Sequence, residues 1–291
     1  MMKRAVAVAD LTALRRLESV RRDFVANASH ELKTPLTSIR GYAETLLDDD
    51  LPADMRRQFI ATISDNADRL QRIVDDLLDL SRLESGRWQP RLTTLEADTV
   101  AREAWHDFEE RALERGVRFD VAADCDTGVL ADRSGLEQIF SNLYDNALRY
   151  TGEGGAIEVR IVETTGPASR RQGQPPLTAI EVSDTGAGIP GDVLPRIFER
   201  FYRADPARSR AEGGTGLGLS IVKHLAESMG GGVDARSRLG RGTTIRVMLP
   251  AAAATGGATT PGAATTSCRT VLTTVWAYVH WIPARVCPTA I

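Results

Sequence analysis

Gly213-Gly-Thr-Gly-Leu-Gly-Leu219 runs directly into a helical pattern that stops at Gly230-Gly-Gly232, and its reading decides the fold of the second half of the chain. Bare glycines let backbone N–H groups approach phosphate oxygens, and a helix N-terminus adds favourable partial charge. No Gly-x-x-x-x-Gly-Lys-Ser/Thr occurs anywhere, so this is not a P-loop. A second cluster, Asp184-Thr-Gly-Ala-Gly-Ile-Pro-Gly191, closes a strand-like run. Its Gly186-x-Gly188-x-x-Gly191 spacing matches a dinucleotide fingerprint, but that fingerprint must open a helix, and Pro190 before Gly191 argues for a loop.

Between the halves lies Gln138-Ile-Phe-Ser-Asn142-Leu-Tyr-Asp-Asn146-Ala-Leu-Arg149-Tyr150. Asn142 and Asn146 are four apart and share one helix face. Asparagine is a mediocre helix former, so two on one face suggest a polar task. An amide oxygen is a hard neutral ligand suited to Mg²⁺, which also takes phosphate oxygens and water. Ser134-Gly-Leu-Glu137 reads as a capping box opening this helix. A further helix is expected over 97–115, with strands at 117–122, 128–131, 156–162, 177–183, 232–235 and 243–249. Strands and helices interleaved with hairpin-like connections suggest an α/β sandwich on a mixed sheet.

The first half reads differently. Phe59, Ile63, Asn66, Leu70, Ile73, Leu77 and Leu80 alternate spacings of four and three, the a/d seam of helices that pack as a coiled coil or bundle. A looser stripe runs through Leu11, Leu14, Val25, Ala28, Leu32, Ile39, Tyr42 and Leu46, and Pro52 supplies the turn between the two. One hairpin buries one stripe per helix, whereas two hairpins face to face make a four-helix bundle, so a homodimer is expected. Asn66 is a polar residue in the seam that can fix register.

Composition narrows the partners. Lys+Arg (36) and Asp+Glu (39) nearly balance, for a net charge of −3, so no nucleic-acid partner is indicated. Cys125, Cys268 and Cys287 are too few and scattered for a disulfide framework or zinc cluster, which fits a cytoplasmic protein. No apolar run reaches the length of a membrane span.

Taken together, the helix asparagines, Asp184-Thr-Gly-Ala-Gly188 and Gly214-Thr-Gly-Leu-Gly-Leu219 resemble the N, G1 and G2 boxes of the GHKL ATPases. Phe198-Glu-Arg-Phe-Tyr-Arg203 resembles the F box of that family's histidine-kinase branch. Phe24-Val-Ala-Asn-Ala-Ser-His-Glu-Leu-Lys-Thr-Pro-Leu36 resembles its H box. The five boxes stand in the family's order over residues 10–250, and the wording is most similar to phosphate-regulon sensor kinases. The resemblance implies an α+β fold: a dimeric helical hairpin over 10–86, then a GHKL ATPase sandwich over 87–250.

It also implies a chemistry. His30 would take the phosphoryl group from ATP and pass it to an aspartate of a response regulator. Glu31 would orient or deprotonate the imidazole, and Thr34, one turn on, would serve dephosphorylation of that regulator. Asp184 would accept from the adenine amino group, with Gly186 and Gly188 close to the base. Asn146 would hold Mg²⁺, and Asn142, Arg149 and Tyr150 would line the nucleotide. Gly214, Thr215, Gly216, Leu217 and Gly218 would wrap the phosphates. Residues 201–213 would form a lid, with Arg203, Arg208 and Arg210 reaching for the γ-phosphate. Ser85-Gly86 would be the hinge on which the ATP domain swings, and Pro35 would bend the helix beside His30. Arg149 departs from the family's frequent lysine, and the two cations differ in geometry.

Two other classes stay open at this level: a dimeric ATP-binding scaffold that does not phosphorylate itself, and a GHKL ATPase of the DNA-repair, topoisomerase or chaperone type, which the His30 helix disfavours. Residues 1–9 resemble the last strand of a PAS sensor domain, so a longer parent carrying that domain is expected. Residues 251–291 read as a low-complexity tail with no family counterpart.

Overall fold

The computed structural model describes residues 2–48, 51–123, 128–163, 176–204 and 214–252. Arg208, Arg210, Gly213, the three cysteines, residues 164–175 and nearly all of the 251–291 tail lie outside the described residues. So does part of the turn between the first two helices.

Helix α1 (Met2–Thr45) and helix α2 (Ala53–Glu84) form the hairpin. Tyr42 packs on Phe59 with ring centroids 5.0 Å apart, and Glu31 meets Arg69 further along, so the helices run antiparallel. Ile73 and Leu80 of the heptad seam are fully buried, while Phe59, Ile63, Asn66 and Leu70 are half-buried. Val25, Leu36, Ile60 and Leu78 remain more than half exposed. A single hairpin therefore leaves apolar surface that nothing among the described residues covers.

Residues 2–9, which resemble the end of a PAS domain, are here part of α1. Pro35 lies inside α1 without ending it.

The second half begins with β1 (Thr93–Leu95), α3 (Ala97–Trp105), α4 (Glu109–Glu114) and β2 (Arg118–Ala123). The helix expected over 97–115 is thus broken, by a tight turn at His106–Phe108. Then follow β3 (Val129–Ala131), α5 (Arg133–Tyr150), β4 (Ala156–Glu163), β5 (Leu177–Asp184), α6 (Gly218–Ser228), β6 (Gly232–Arg238) and β7 (Gly242–Pro250). The main sheet has the order β2-β4-β5-β7-β6, parallel between β2 and β4 and antiparallel elsewhere. β1 and β3 form a separate antiparallel pair; β1 has three residues, too few to show a strand period.

Helices α3, α5 and α6 cover one face of the sheet. Ile157, Val159, Ile161, Ile180, Val182, Ile245, Val247 and Leu249 point at them, and Leu136, Ile139, Phe140, Leu143 and Leu148 of α5 answer from above. Tyr144 is fully buried because its hydroxyl donates to the Ala101 carbonyl at 2.9 Å, and its ring meets Trp105 and Phe119 edge-on. On the open face, Glu181 of β5 and Arg246 of β7 stand opposite each other and pair.

The start of α5 corrects the capping-box reading. Asp132 is the N-cap: its carboxylate accepts from the Gly135 amide at 3.0 Å and the Ser134 hydroxyl at 2.7 Å, and from the Arg91 amide at 2.8 Å. Glu137 instead pairs with Arg133 on the exposed surface. Asp132→Ala should therefore lower unfolding stability by about 1 kcal/mol, while Glu137→Ala should change it by less than about 0.5 kcal/mol. Urea titrations of both variants check this order.

Candidate functional site

α5 positions the site because its apolar face is fixed in the core, which leaves the opposite face turned to a cavity of about 870 Å³. Asn142, Asn146, Arg149 and Tyr150 line it from that helix, Asp184, Gly188 and Ile189 from the end of β5, Tyr202 and Arg203 from the segment that follows Phe201, and Gly214, Thr215, Gly216 and Gly218 from the glycine loop. Residues distant in sequence are thereby brought together.

Asp184 forms part of the floor. Burial pushes its carboxyl above the usual range, against the opposing pull of hydrogen bonds from the Gly186 amide at 2.7 Å and the Thr243 amide at 3.3 Å. Gly188 has φ +71°, and a side chain there would collide with the Arg238 backbone. At Gly218 a Cβ would stand 2.7 Å from Asn142 Oδ1, so a side chain there would push the Asn142 amide aside. Asn142 itself donates to the Gln138 carbonyl at 2.9 Å.

Two expected lining residues do not reach the wall. Leu217 is fully buried in the core, where its amide donates to the Thr215 hydroxyl at 3.2 Å. Gly186 is packed against the end of α5 at Tyr150. Asp145 was missed by the sequence reading: it pairs with Arg149 and, at 3.1 Å, with Arg111, and those cations hold its carboxyl low against the opposing effect of burial. Its signal was the i, i+4 spacing to Arg149.

α2 also contributes to the cavity. Arg72 and Asp76 line it, and Asp76 accepts a hydrogen bond from the Thr215 side chain. Nearby, Gln138 donates to Asp79 at 2.6 Å. No sequence pattern flagged Asp76, because it sits among ordinary exposed acids of a heptad helix.

His30 is exposed and does not line the cavity. Glu31 beside it is occupied: Arg69 Nη2 approaches its Oε2 at 3.3 Å, and Arg203 donates to Oε1 at 3.2 Å and Oε2 at 2.8 Å. Arg203 also donates to the Gly214 carbonyl at 2.6 Å. The Thr34 hydroxyl donates to the His30 carbonyl at 3.1 Å. Further along α1, Phe24 is held between Phe201 (5.8 Å) and the Arg200 guanidinium (5.5 Å). Phe201 has φ +59°, and its amide donates to the Gly216 carbonyl at 2.7 Å. At the end of α2, Glu84 takes Arg200 and His224 together, and Gly86 just beyond has φ +65°.

Residues 20–86 match the His Kinase A (phospho-acceptor) domain, and residues 131–253 match the histidine kinase-, DNA gyrase B- and HSP90-like ATPases. The chain belongs to the two-component sensor histidine kinases. Among histidine kinases it is 37% identical over 246 residues to the sensor-like histidine kinase SenX3 of Mycobacterium tuberculosis, across 84% of this chain and 58% of that one. The sensor protein SrrB of Staphylococcus aureus is 32% identical over 84% of this chain and 40% of its own. The chain thus spans between two-fifths and three-fifths of these relatives. Among solved structures, full-length ShkA in complex with AMPPNP aligns with TM-score 0.56 at 30% identity, over 80% of this chain and 46% of that one. The histidine kinase ThkA in complex with the response regulator TrrA aligns with TM-score 0.63 over 81% of this chain and 63% of that one, at 24% identity, and so supports the fold alone. Among the described residues no helix is long and apolar enough to cross a membrane.

Burial pushes the Asp76 carboxyl up to about 6, with Asp79 and Asp145 adding to the rise and the Thr215 hydrogen bond and Arg72 opposing it. The folded chain then holds this proton more tightly than the unfolded chain, so the group's contribution weakens the fold as pH rises through that window and levels off above it. Asp76→Asn should be more stable than wild type at about pH 7.5, with the difference shrinking toward about pH 4.5. Paired urea titrations at the two pH values measure it.

Proposed function

We propose that this chain is the catalytic core of a sensor histidine kinase that phosphorylates His30 with ATP and passes the phosphoryl group to an aspartate of a response regulator. What supports this reading is the convergence, on one cavity beside the His30 helix, of side chains from all four ATPase boxes.

The residues fit a nucleotide. Asp184 accepts from the adenine amino group, while Ile189 and Tyr150 flank the base. Gly214, Thr215, Gly216 and Gly218 offer a close, mostly backbone cradle to the phosphates. Arg203 brings a largely buried guanidinium to the same rim. Arg149 adds positive charge, already shared with Asp145.

The residues also fit Mg²⁺. The Asn146 amide oxygen would be the protein ligand, with Asn142 beside it, and a bound ion would supply neutralisation of the phosphate charge.

At the acceptor, one imidazole nitrogen of neutral His30 attacks the γ-phosphorus, the bond to the ADP oxygen breaks, and the proton on the other nitrogen passes to Glu31. Glu31 must first part from Arg203. Thr34 keeps lone pairs free while donating to the His30 carbonyl, and these hold a water for dephosphorylating the regulator. The exposed Val25, Leu36, Ile60 and Leu78 are covered by a second copy, giving a homodimeric four-helix bundle. Residues 10–86 act as the dimerisation and phosphoacceptor unit and 87–250 as the ATP unit. An ATP-consuming relay of this kind belongs in the cytoplasm.

Incubation with γ-labelled ATP and Mg²⁺ tests the proposal. Wild type should acquire an acid-labile phosphate that falls at least about a hundredfold in His30→Gln, while the variant keeps its affinity for a non-hydrolysable nucleotide. Asn146→Ala should lose label through weaker Mg²⁺-dependent binding. A folded, nucleotide-binding wild type that takes no label would leave only the scaffold reading.

A further inference from the structure

Arg72 of α2 lines the nucleotide cavity, and two carboxylates of the hairpin, Glu31 and Asp76, meet cavity-lining groups suited to phosphate. At the first, Glu31 receives the Arg203 fork in two parallel hydrogen bonds, and the same guanidinium reaches the Gly214 carbonyl. The Arg203 side chain is only 7% exposed there. At the second, Asp76 of α2 accepts from the side chain of Thr215 in the glycine loop and lines the cavity beside Gly214, Gly216 and Gly218. An arginine fork and a hydroxyl bind carboxylate and phosphate by the same geometry. Each donor can serve one of them at a time.

We propose that Glu31 and Asp76 act as internal phosphate mimics: with the hairpin docked, they hold the donors that a nucleotide's phosphates would take, so docking and triphosphate binding compete. This rests on the reading of the cavity as a nucleotide site and assigns Asp76 a part in setting its affinity. The docked arrangement is braced away from the cavity by Phe24 against Phe201 and Arg200, and by Glu84 against Arg200 and His224. An entering triphosphate brings negative charge beside both carboxylates and draws Arg203 and Thr215 to itself. Arg69 stays behind on Glu31, so the carboxylate keeps one orienting partner when Arg203 leaves. Loading the nucleotide and freeing Glu31 for His30 become one event. By reciprocity, docking weakens triphosphate binding by the same factor as triphosphate binding weakens docking.

The test compares full-chain wild type, Asp76→Asn and Phe24→Ala, each checked for folding by circular dichroism. Calorimetry gives the affinity for AMP-PNP with Mg²⁺, and NMR titration gives the affinity for adenosine, which lacks phosphates. Phe24 does not line the cavity, so its variant loosens docking without touching a ligand. Both variants should bind AMP-PNP about tenfold tighter than wild type, with adenosine affinity unchanged. AMP-PNP affinity that is equal or weaker in both folded variants overturns the mimicry. Equal tightening toward adenosine also overturns it, since the effect would then lie at the base end. Failure of wild type and both variants to bind AMP-PNP at all is a separate result that removes the nucleotide reading and this inference with it.

Discussion

Everything in the ATP-binding half depends on α5 having two faces that cannot be exchanged. Leu136, Ile139, Phe140, Leu143 and Leu148 are withdrawn from water against the sheet, each contributing about 1.5–3 kcal/mol. Tyr144 can join them only because Ala101 offers its hydroxyl an acceptor. With that face committed, Asn142, Asn146, Arg149 and Tyr150 are committed to the cavity. The polar geometry is therefore purchased by apolar burial on the other side of the same helix, and a rotation that moved one set would strand the other.

The sequence revealed what depends on local periodicity and on residue types with narrow uses. The heptad seam, the strands of the main sheet and both glycine clusters could be read because each states its geometry within a few residues. The features it hid need partners from far away. Asp132, not Ser134, holds the cap, and its carboxylate also takes the amide of Arg91, 41 positions back. β1 exists because β3 pairs with it. Asp76 gains its setting from Thr215 on another element. Leu217 shows the opposite error: a residue inside a functional motif whose side chain serves the core.

The two halves meet through Leu80 of α2, fully buried in the core of the ATP half with Leu77 and Leu83 packed beside it, and through ion pairs and aromatic contacts around that seam. The ion pairs gain little net free energy, because desolvation offsets most of the attraction. They do discriminate strongly among arrangements, since each charged group needs its own partner. The apolar contact thus supplies the attraction, and the charges select the pose.

Pro35 gives α1 a further property. The helix extends for 44 residues, roughly 66 Å at the usual rise, and it is continuous through the proline. Proline has no amide hydrogen, so the carbonyl of Glu31, four residues back, lacks its helical donor. One rung is missing from an otherwise complete ladder, on the turn that carries His30 and Glu31. Torsional compliance in a long rod concentrates where a rung is absent. A twist delivered at one end of α1 would be spent there as local rotation before reaching the far end, turning a rigid transmission shaft into one with a single soft coupling at the reactive turn.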